Sequence, residues 1–252
     1  MKVARFSAGN GELAYGILDS DELVELAGDP LFQGYETTGK RVPLDEVKLV
    51  APVIPRSKIL GLARNYEGDP DGDFPLVFMK PNTAVTGPGA PIIVPEGVLN
   101  VQAEAELAVI IGRPAKNVPA EHWRDVVWGF TAANDVTSMN FSRNFDQWAW
   151  AKGIDTFSPL GPYVEILDEQ TEWEGRSLEL TVNGQVVQSG STSGLTFGVP
   201  EQIEKLSSLF QLLPGDVILT GCPEGRRDLA DGDVLKVSVE GIGVLENKVV
   251  AR

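Results

Sequence analysis

The chain has 252 residues, enough for one large domain or for one domain with a small appendage. Its formal net charge of −15 argues against nucleic-acid binding, which requires clustered Lys and Arg, and against attachment to an anionic membrane surface. The single cysteine, Cys222, excludes an intrachain disulfide, and the single histidine, His122, excludes multi-histidine zinc sites such as HExxH. Because the N-terminus also lacks the features of a signal peptide, we expect a cytoplasmic protein.

Short apolar runs separated by Gly and Pro predict a β-rich protein with few helices. In the first part of the chain they predict three strands, over 3–6, 13–18 and 23–26. A polar stretch over 34–40, followed by Pro43 and Pro52, predicts a junction near residues 50–56. We therefore expect a small N-terminal β domain, 1–55, and a larger catalytic domain, 56–252.

The larger part contains further strand patterns and two helix patterns. Strands are predicted over 59–63, 76–79, 92–94, 104–111, 128–133, 217–220, 234–239 and 244–249. A short helix is predicted over 119–127, because proline suits the first helical turn. A longer helix is predicted over 200–212, where apolar residues recur near helical spacing.

Two carboxylates stand two residues apart at the start of a predicted strand. Glu104 and Glu106 would project from the same face of that strand, because strand side chains alternate with a period of two. Side by side they would repel one another, and a hard divalent cation would neutralise both. The alternative is that both glutamates face solvent on an edge strand.

Two further segments carry groups with chemical potential. Asp135 follows an apolar strand, where ligands often lie, but an Asn-Asp pair is also common in simple turns. Lys152 lies among aromatic residues, where a desolvated ammonium could meet a substrate carboxylate or enolate. Its alternative is a surface lysine whose stem covers apolar groups.

These segments, in this order, resemble the fumarylacetoacetate hydrolase family. The resemblance rests on E-x-E-L-A-V-I-I-G from 104, A-N-D-V-T from 133, A-K-x-x-D-T-F-x-P-L-G-P from 151 and L-P-G-D-V-I-L-T-G from 213. The pairs Asn65-Tyr66, Lys80-Pro81 and Asn183-Gly184 and the run from Gln188 to Thr192 fit as well. The resemblance covers residues 56–252, and the ordered set is far more specific than any one motif.

The resemblance implies an α+β, β-rich fold, a mixed β-roll, usually as a homodimer. It also implies one Mg²⁺ or Mn²⁺ per subunit, bound by Glu104, Glu106 and Asp135, with Lys152 facing a small anionic 2-oxo acid. Residues expected to contact that substrate are Arg64, Tyr66, Lys80, Arg143, Thr220 and Gly221. Family members isomerise unsaturated 2-oxo diacids, decarboxylate oxaloacetate or hydrolyse acylpyruvates.

The chain departs from the family pattern in three places. Where the family often has a lid helix with a water-activating His and Glu, this chain has the short acidic run 67–73 without histidine. Met139 stands where the family often has arginine, so that Arg143 is a candidate substitute, and Cys222 stands where threonine is frequent. His122 lies on the predicted helix 119–127, where we interpret it as a surface or packing residue.

All three family reactions push electrons toward a 2-oxo group and pass through a metal-stabilised enolate. Hydrolysis alone needs an activated water and therefore a base. Without the lid histidine we expect isomerisation or decarboxylation, with acylpyruvate hydrolysis as the alternative if Glu67 or Asp69 serves as the base. A hypothesis of another class is a catalytically weak module that binds a metal and a small acid.

Overall fold

The computed structural model describes residues 1–9, 11–66 and 72–252. The first 55 residues form five strands: β1 (Lys2–Ser7), β2 (Leu13–Asp19), β3 (Glu22–Leu26), β4 (Thr37–Pro43) and β5 (Lys48–Val50). The following part contributes the remaining described strands: β6 (Ile59–Ala63), β7 (Leu76–Lys80), β8 (Val85–Thr86), β9 (Ile92–Val94), β10 (Val101–Gln102), β11 (Ala105–Ile111), β12 (Val127–Asn134), β13 (Thr137–Ser138), β14 (Ser158–Ile166), β15 (Ser177–Val182), β16 (Gln185–Ser191), β17 (Val217–Leu219), β18 (Val234–Val239) and β19 (Gly243–Ala251).

Helices within the described residues are few and short. The α-helices are α1 (Pro30–Gln33), α2 (Met139–Asn144), α3 (Ala149–Lys152) and α4 (Val199–Leu209). Short 3₁₀ helices cover Leu44–Glu46, Asn82–Ala84, Ala120–Asp125 and Thr192–Gly194. None of the helices in these ranges has the length and apolar character needed to span a membrane.

Two sheets enclose the main core. The larger has the order β4-β3-β2-β1-β14-β12-β11-β17-β6-β7, with β5 paired to β1 and β8 to β14, and the smaller has the order β16-β15-β18-β19-β9. Their facing side chains, among them Leu107 and Val109 of β11, Leu180 of β15 and Val237 of β18, belong to one buried cluster. The mixed, β-rich fold with few helices is as predicted.

The N-terminal strands continue the larger sheet. Strand β1 pairs antiparallel with β14 of the following part, with Val3 opposite Val164. The boundary predicted between residues 55 and 56 falls between β5 and β6, and it stays a prediction.

Strand β11 lies at the centre of the larger sheet, between β12 and β17. All seven of its residues are buried, because both faces of the strand are covered. The predicted strand over 104–111 is therefore present, one residue shorter. Its central position fixes Glu104 and Glu106 inside the protein instead of at an edge.

Both predicted helices differ from expectation in type or length. Within the predicted helix 119–127, only Ala120–Asp125 is helical, as a 3₁₀ helix, and Val127 already begins β12. Helix α4 ends at Leu209 instead of residue 212, because Phe210 is extended and Leu212 exchanges two backbone hydrogen bonds with Ala115, both 2.9 Å long. Sheet-like pairing thus replaces the last predicted turn.

Candidate active site

The site lies where β11 begins and β12 ends. These strands pair antiparallel with Ala105 opposite Asn134, so Glu104 and Asp135 are neighbours just beyond the paired ends. The Asp135 N–H donates to the Glu104 carbonyl at 2.9 Å, and the Asn134 side-chain oxygen accepts from the Glu104 N–H at 3.1 Å. Backbone pairing of two buried strands therefore determines the spacing of the acidic groups.

Glu104, Glu106 and Asp135, here called the carboxylate cluster, are all buried, with exposed fractions of 6%, 1% and 0%. A carboxylate oxygen of Glu104, one of Glu106 and the sulfur of Cys222 lie within 4.8 Å of one another. The alternative of two glutamates facing solvent on an edge strand is thus wrong. The structure brings the two side chains together as their spacing predicts.

Two buried lysines, here called the lysine pair, partner Asp135. Lys152 of α3 donates to Asp135 Oδ2 and also to Glu104 Oε2 at 3.2 Å. Lys80, at the end of β7, donates to Asp135 Oδ1 and to the Phe157 carbonyl at 2.6 Å. Lys152 is only 6% exposed, and its Nζ lies 4.7 Å from the centroid of the Phe78 ring. Of the two alternatives for Lys152, the desolvated ammonium is therefore correct and the surface lysine is not.

The unequal partners produce opposite pKa shifts in the carboxylate cluster. Burial, followed by the charges of Asp135 and Glu104, raises the pKa of Glu106 well above its ordinary value. Burial would also raise the pKa of Asp135, but the charges of Lys152 and Lys80 outweigh it and lower the pKa. Glu106 thus lacks an ammonium partner among the described side chains, and its Oε2 accepts from the backbone N–H of Gly221 at 2.8 Å.

The two lysines of the pair have opposite pKa shifts, because their surroundings differ. Burial lowers the pKa of Lys80 and exceeds the opposing effect of Asp135. For Lys152, burial is offset by Asp135 and Glu104, so that the pKa is raised and the side chain stays an ammonium. Lys152 is therefore a permanent positive charge beside the carboxylates.

A cavity of about 560 Å³ opens above Glu104, Glu106 and Lys152. Leu62, Phe78, Met139 and Trp148 give it apolar walls, while the loop from Cys222 to Arg226 forms another side. The Phe78 ring, which lies beside the Lys152 ammonium, is 5.9 Å from the Trp148 ring, so two aromatic groups line this side of the cavity. The cavity combines anionic ligands, a cation and an apolar wall in one space.

Of the six residues expected to contact substrate, Arg64 and Tyr66 line this cavity. Arg64 has a φ of +54°, a conformation uncommon for non-glycine residues, and so turns the chain sharply after β6. The Tyr66 hydroxyl is buried without a hydrogen-bond partner among the described residues, and burial raises the pKa of this phenol. A protonated, unpaired donor therefore lies at the cavity.

The other four expected contacts lie elsewhere. Lys80 is beneath the cavity, and Thr220 is buried with its hydroxyl donating to the Leu107 carbonyl at 2.9 Å. Gly221 contributes its backbone N–H to Glu106 instead of lining the wall, and Arg143 is exposed on α2, outside the lining. Glu67 and Asp69 lie outside the described residues. His122 is exposed, with Nδ1 3.1 Å from Asp125.

Comparison with known proteins identifies the family. The model of the fumarylacetoacetate (FAA) hydrolase C-terminal domain matches residues 59–250, and an N-terminal model described as Rv2993c-like matches residues 1–52. The chain belongs to the fumarylacetoacetate hydrolase family.

Relatives in the fumarylacetoacetate hydrolase family carry several activities. The crystal structure of a 5-carboxymethyl-2-hydroxymuconate delta-isomerase from Mycobacterium smegmatis matches with a TM-score of 0.93 and 39% identity, covering 100% of both chains. The human mitochondrial oxaloacetate tautomerase FAHD2A is 35% identical over 83% of this chain and 71% of its own length. A maleylpyruvate hydrolase from Sphingobium sp. SYK-6, crystallised with manganese(II) and pyruvate, has a TM-score of 0.84 and 28% identity, covering 100% of this chain and 99% of its own.

The donor set fits the divalent cation that the fumarylacetoacetate hydrolase resemblance implies. Two buried carboxylates converge, and Glu106 lacks an ammonium partner among the described side chains. Hard cations such as Mg²⁺ prefer such oxygens. Cys222 belongs to the same group, but burial, followed by the charges of Glu104 and Glu106, raises the pKa of its thiol, which disfavours the thiolate that soft metals require. Both oxygens of Asp135 already accept from the lysine pair.

Sequence reasoning missed several cavity residues. Phe78 and Arg226 line the cavity, although their segments gave no chemical motif, and Trp148 lines it although the sequence showed it only as one of the aromatic residues near Lys152. A signal for Arg226 was present: it follows the Thr220-Gly221 element in the same loop, and this loop was expected to reach the substrate. The aromatic residues became site residues only through the packing of β7 and α3.

Proposed function

We propose that this chain is a divalent-metal-dependent enzyme that isomerises or decarboxylates small 2-oxo (di)acids. One observation carries the proposal. The buried carboxylates of Glu104 and Glu106 converge under a cavity of about 560 Å³, with the ammonium of Lys152 3.2 Å from Glu104. An apolar interior tolerates such unbalanced negative charge poorly unless a cation completes it.

Glu104 and Glu106, with Asp135 as a third ligand, would hold one Mg²⁺ or Mn²⁺ per subunit. When bound, the cation would polarise the 2-oxo group of the substrate. Lys152 would offer its ammonium to the substrate oxygen on which negative charge develops, a type of stabilisation that is often the largest catalytic contribution. The Phe78 and Trp148 rings would exclude water and strengthen that interaction.

Tyr66 is the best-placed proton donor among the described residues. Its hydroxyl is buried at the cavity without a partner, and its raised pKa keeps it protonated. In a proton shift along a 2-oxo acid, a base would accept the proton that the substrate releases, for which Glu67 and Asp69 are the candidates, and Tyr66 would donate the proton that returns to carbon. Decarboxylation needs no base. In decarboxylation the carbon–carbon bond breaks, carbon dioxide leaves, and the electron pair moves toward the 2-oxo oxygen beside Lys152.

Two comparisons favour a proton shift over hydrolysis. The tautomerase and the delta-isomerase are named for such reactions, and both are more similar to this chain than the maleylpyruvate hydrolase is. The sequence over 67–73 also lacks histidine, the residue that most often activates water. Hydrolysis of an acylpyruvate remains the second candidate because of the hydrolase relative.

A substrate panel tests the proposal. Metal-stripped protein would be assayed with oxaloacetate, an acylpyruvate and an unsaturated 2-oxo diacid, with added Mg²⁺ or Mn²⁺ and with chelator. We expect metal-dependent isomerisation or decarboxylation at a higher rate than acylpyruvate hydrolysis. Efficient hydrolysis, lost on neutralising Glu67 or Asp69, would favour the second candidate. Thermal stabilisation by metal and acid without any product would instead support the binding module.

We further propose that the chain forms a homodimer in the cytoplasm. The single cysteine supports a reducing compartment. Exposed aromatic side chains support association: Phe145 and Trp150 are 46% and 62% exposed, and their rings are 6.0 Å apart. Light scattering at increasing protein concentration measures the oligomeric state.

A further inference from the structure

The loop that follows Gly221 brings an arginine to the cavity. Arg226 lines the cavity wall, with its Nε 3.5 Å from Glu104 Oε1 and its Nη2 donating to Cys222 Sγ at 3.7 Å. The side chain is 46% exposed and so lies toward the open side. A guanidinium has five N–H donors, and these two contacts leave others for a ligand.

Arg226 and Lys152 contact different oxygens of one carboxylate. Lys152 binds Glu104 Oε2 from the buried side, and Arg226 approaches Glu104 Oε1 from the exposed side. A substrate held over Glu104 would therefore meet a buried cation at one end and an exposed cation at the other. This arrangement suits a ligand with two separated anionic groups.

The charge around the site favours such a ligand. Among the described residues, a divalent cation bound by Glu104 and Glu106 would offset the charges of these two carboxylates, and the lysine pair already partners Asp135. Arg64 and Arg226 add two positive charges at the cavity, of which the exposed Glu224 offsets one. The described groups therefore leave positive charge at the cavity for an anionic ligand.

The arginine of the later loop that lines the cavity is not the one that the sequence suggested. Met139 lines the cavity where the family often has arginine, and Arg143, the expected substitute, is exposed outside the lining. Arg226 comes from a different loop and supplies a guanidinium to the same cavity.

We propose that Arg226 binds the second carboxylate of a dicarboxylic 2-oxo acid and so sets a preference for diacids over monoacids. The inference rests on the proposed function. The planar guanidinium suits a carboxylate, because two parallel N–H groups can bind its two oxygens. Lysine at this position would keep the charge and lose the fork.

Calorimetric binding of three acids tests the proposal. The probes are pyruvate, 2-oxoglutarate and 2-oxoadipate with saturating Mg²⁺, applied to the wild type, Arg226→Met, Arg226→Lys and Arg227→Met. Arg227 is the matched control, because it lies in the same loop but pairs with Asp233 at 3.3 Å. A charge-assisted hydrogen bond corresponds to about a 10-fold change in Kd or more.

We expect the wild type to bind its better diacid about 10-fold more tightly than pyruvate. Arg226→Met should abolish this preference and leave the Kd of pyruvate within about twofold, Arg226→Lys should retain part of it, and Arg227→Met all of it. An unchanged diacid preference in Arg226→Met would overturn the inference. If Arg226→Met lost affinity equally for pyruvate and for the diacids, and also bound Mn²⁺ more weakly, the inference would be overturned as well, because Arg226 would then only position Glu104. Failure of the wild type to bind any of the acids would contradict the proposed function itself.

Discussion

Asp135 and Glu106 are both fully buried carboxylates, but they have different neighbours. Asp135 is held between the ammonium groups of Lys80 and Lys152, whereas Glu106 accepts a backbone N–H of Gly221. Asp135 is therefore a satisfied ion, and Glu106 is the group for which metal-free protein lacks a counter-charge among its described side chains. Their roles as ligands remain a prediction, and Glu106 is the more sensitive probe of it.

Glu106 makes the stability of the metal-free protein depend on pH. Burial, then Asp135 and Glu104, raises its pKa well above 4.5, so the folded state binds this proton more tightly than the unfolded state. The resulting stabilisation is complete below the unfolded-state pKa and is lost as pH rises toward the folded-state pKa. As the pH rises above about 5, the unfolding free energy of the wild type should fall relative to that of Glu106→Gln, which stays neutral.

Urea unfolding in chelator measures this difference. Glu224→Gln is the control, because Glu224 is exposed at the same cavity and should follow the wild type. Parallel pH curves for the wild type and Glu106→Gln would show that the pKa of Glu106 is the same in the folded and unfolded states, which would contradict the raised pKa.

Lys152 should contribute more to turnover than to stability. Lys152→Met keeps the length and removes the charge, and Lys80 still partners Asp135 in the variant. Turnover of the best substrate should fall about 100-fold, the usual effect of removing one group that stabilises developing negative charge. Lys116→Met is the control, since Lys116 is exposed and donates only to the Ser208 carbonyl at 3.0 Å within the described contacts. Wild-type turnover in Lys152→Met would exclude a catalytic role.

At the scale of elements, strands with an apolar period were predictable and polar ones were not. The buried run of β11 and the short apolar runs of β1 to β3 were predictable from their sequences. Strand β4 was not predicted, because five of its seven residues are exposed and give no apolar period. Much of it lies in the polar stretch that was interpreted as a junction. The hairpin of β15 and β16 was missed although Asn183-Gly184 has the two positive φ angles of a hairpin turn.

The loop after β17 contacts the carboxylate cluster through the backbone N–H of Gly221, which donates to Glu106. The φ of Gly221 is +101°, and a Cβ on this residue would lie 2.9 Å from the Cβ of Asn65. The side-chain amide of Asn65 in turn donates to the Thr220 carbonyl at 2.8 Å. Gly221→Ala should therefore shift the N–H that binds Glu106 and weaken Mn²⁺ binding, besides costing about 1–2 kcal/mol for the left-handed backbone.

Gly184→Ala separates these two effects. Gly184 has a φ of +77°, with no atom within 4 Å of an added Cβ, so its substitution carries the backbone cost alone. Both variants should lose stability in urea unfolding, but only Gly221→Ala should lose affinity for Mn²⁺. Equal Mn²⁺ affinity in the two variants would exclude the Gly221 N–H as a support for the site.

At the scale of the molecule, the candidate site combines chain segments that are far apart in sequence. The spacing of Glu104 and Glu106 predicted their convergence, and the family resemblance added Asp135 and Lys152. No local pattern could show that Lys80 lies beneath the cavity or that Phe78 and Trp148 cover it, because these positions result from packing between β7, α3 and the central sheet. The sequence also made Arg143 the candidate for a substrate contact, whereas the arginine of the later loop that lines the cavity is Arg226.

The net charge of −15 makes the location of positive charge informative. In an acidic protein, two buried lysines and two cavity arginines concentrate cationic groups where an anionic substrate would enter. The negative surface favours solubility, and the cationic groups at the cavity would contribute to the recognition of an anionic substrate.

The most direct test of the account is titration of metal-stripped protein with Mn²⁺, followed by the electron paramagnetic resonance signal of the free ion. We expect one Mn²⁺ per subunit in the wild type and in Glu224→Gln. Glu106→Gln should bind Mn²⁺ at least about 10-fold more weakly, because the loss of a group that only orients a metal ligand already has an effect of this size. Failure of the wild type to take up Mn²⁺, or wild-type affinity in Glu106→Gln, would contradict the carboxylate cluster as the metal centre of this enzyme.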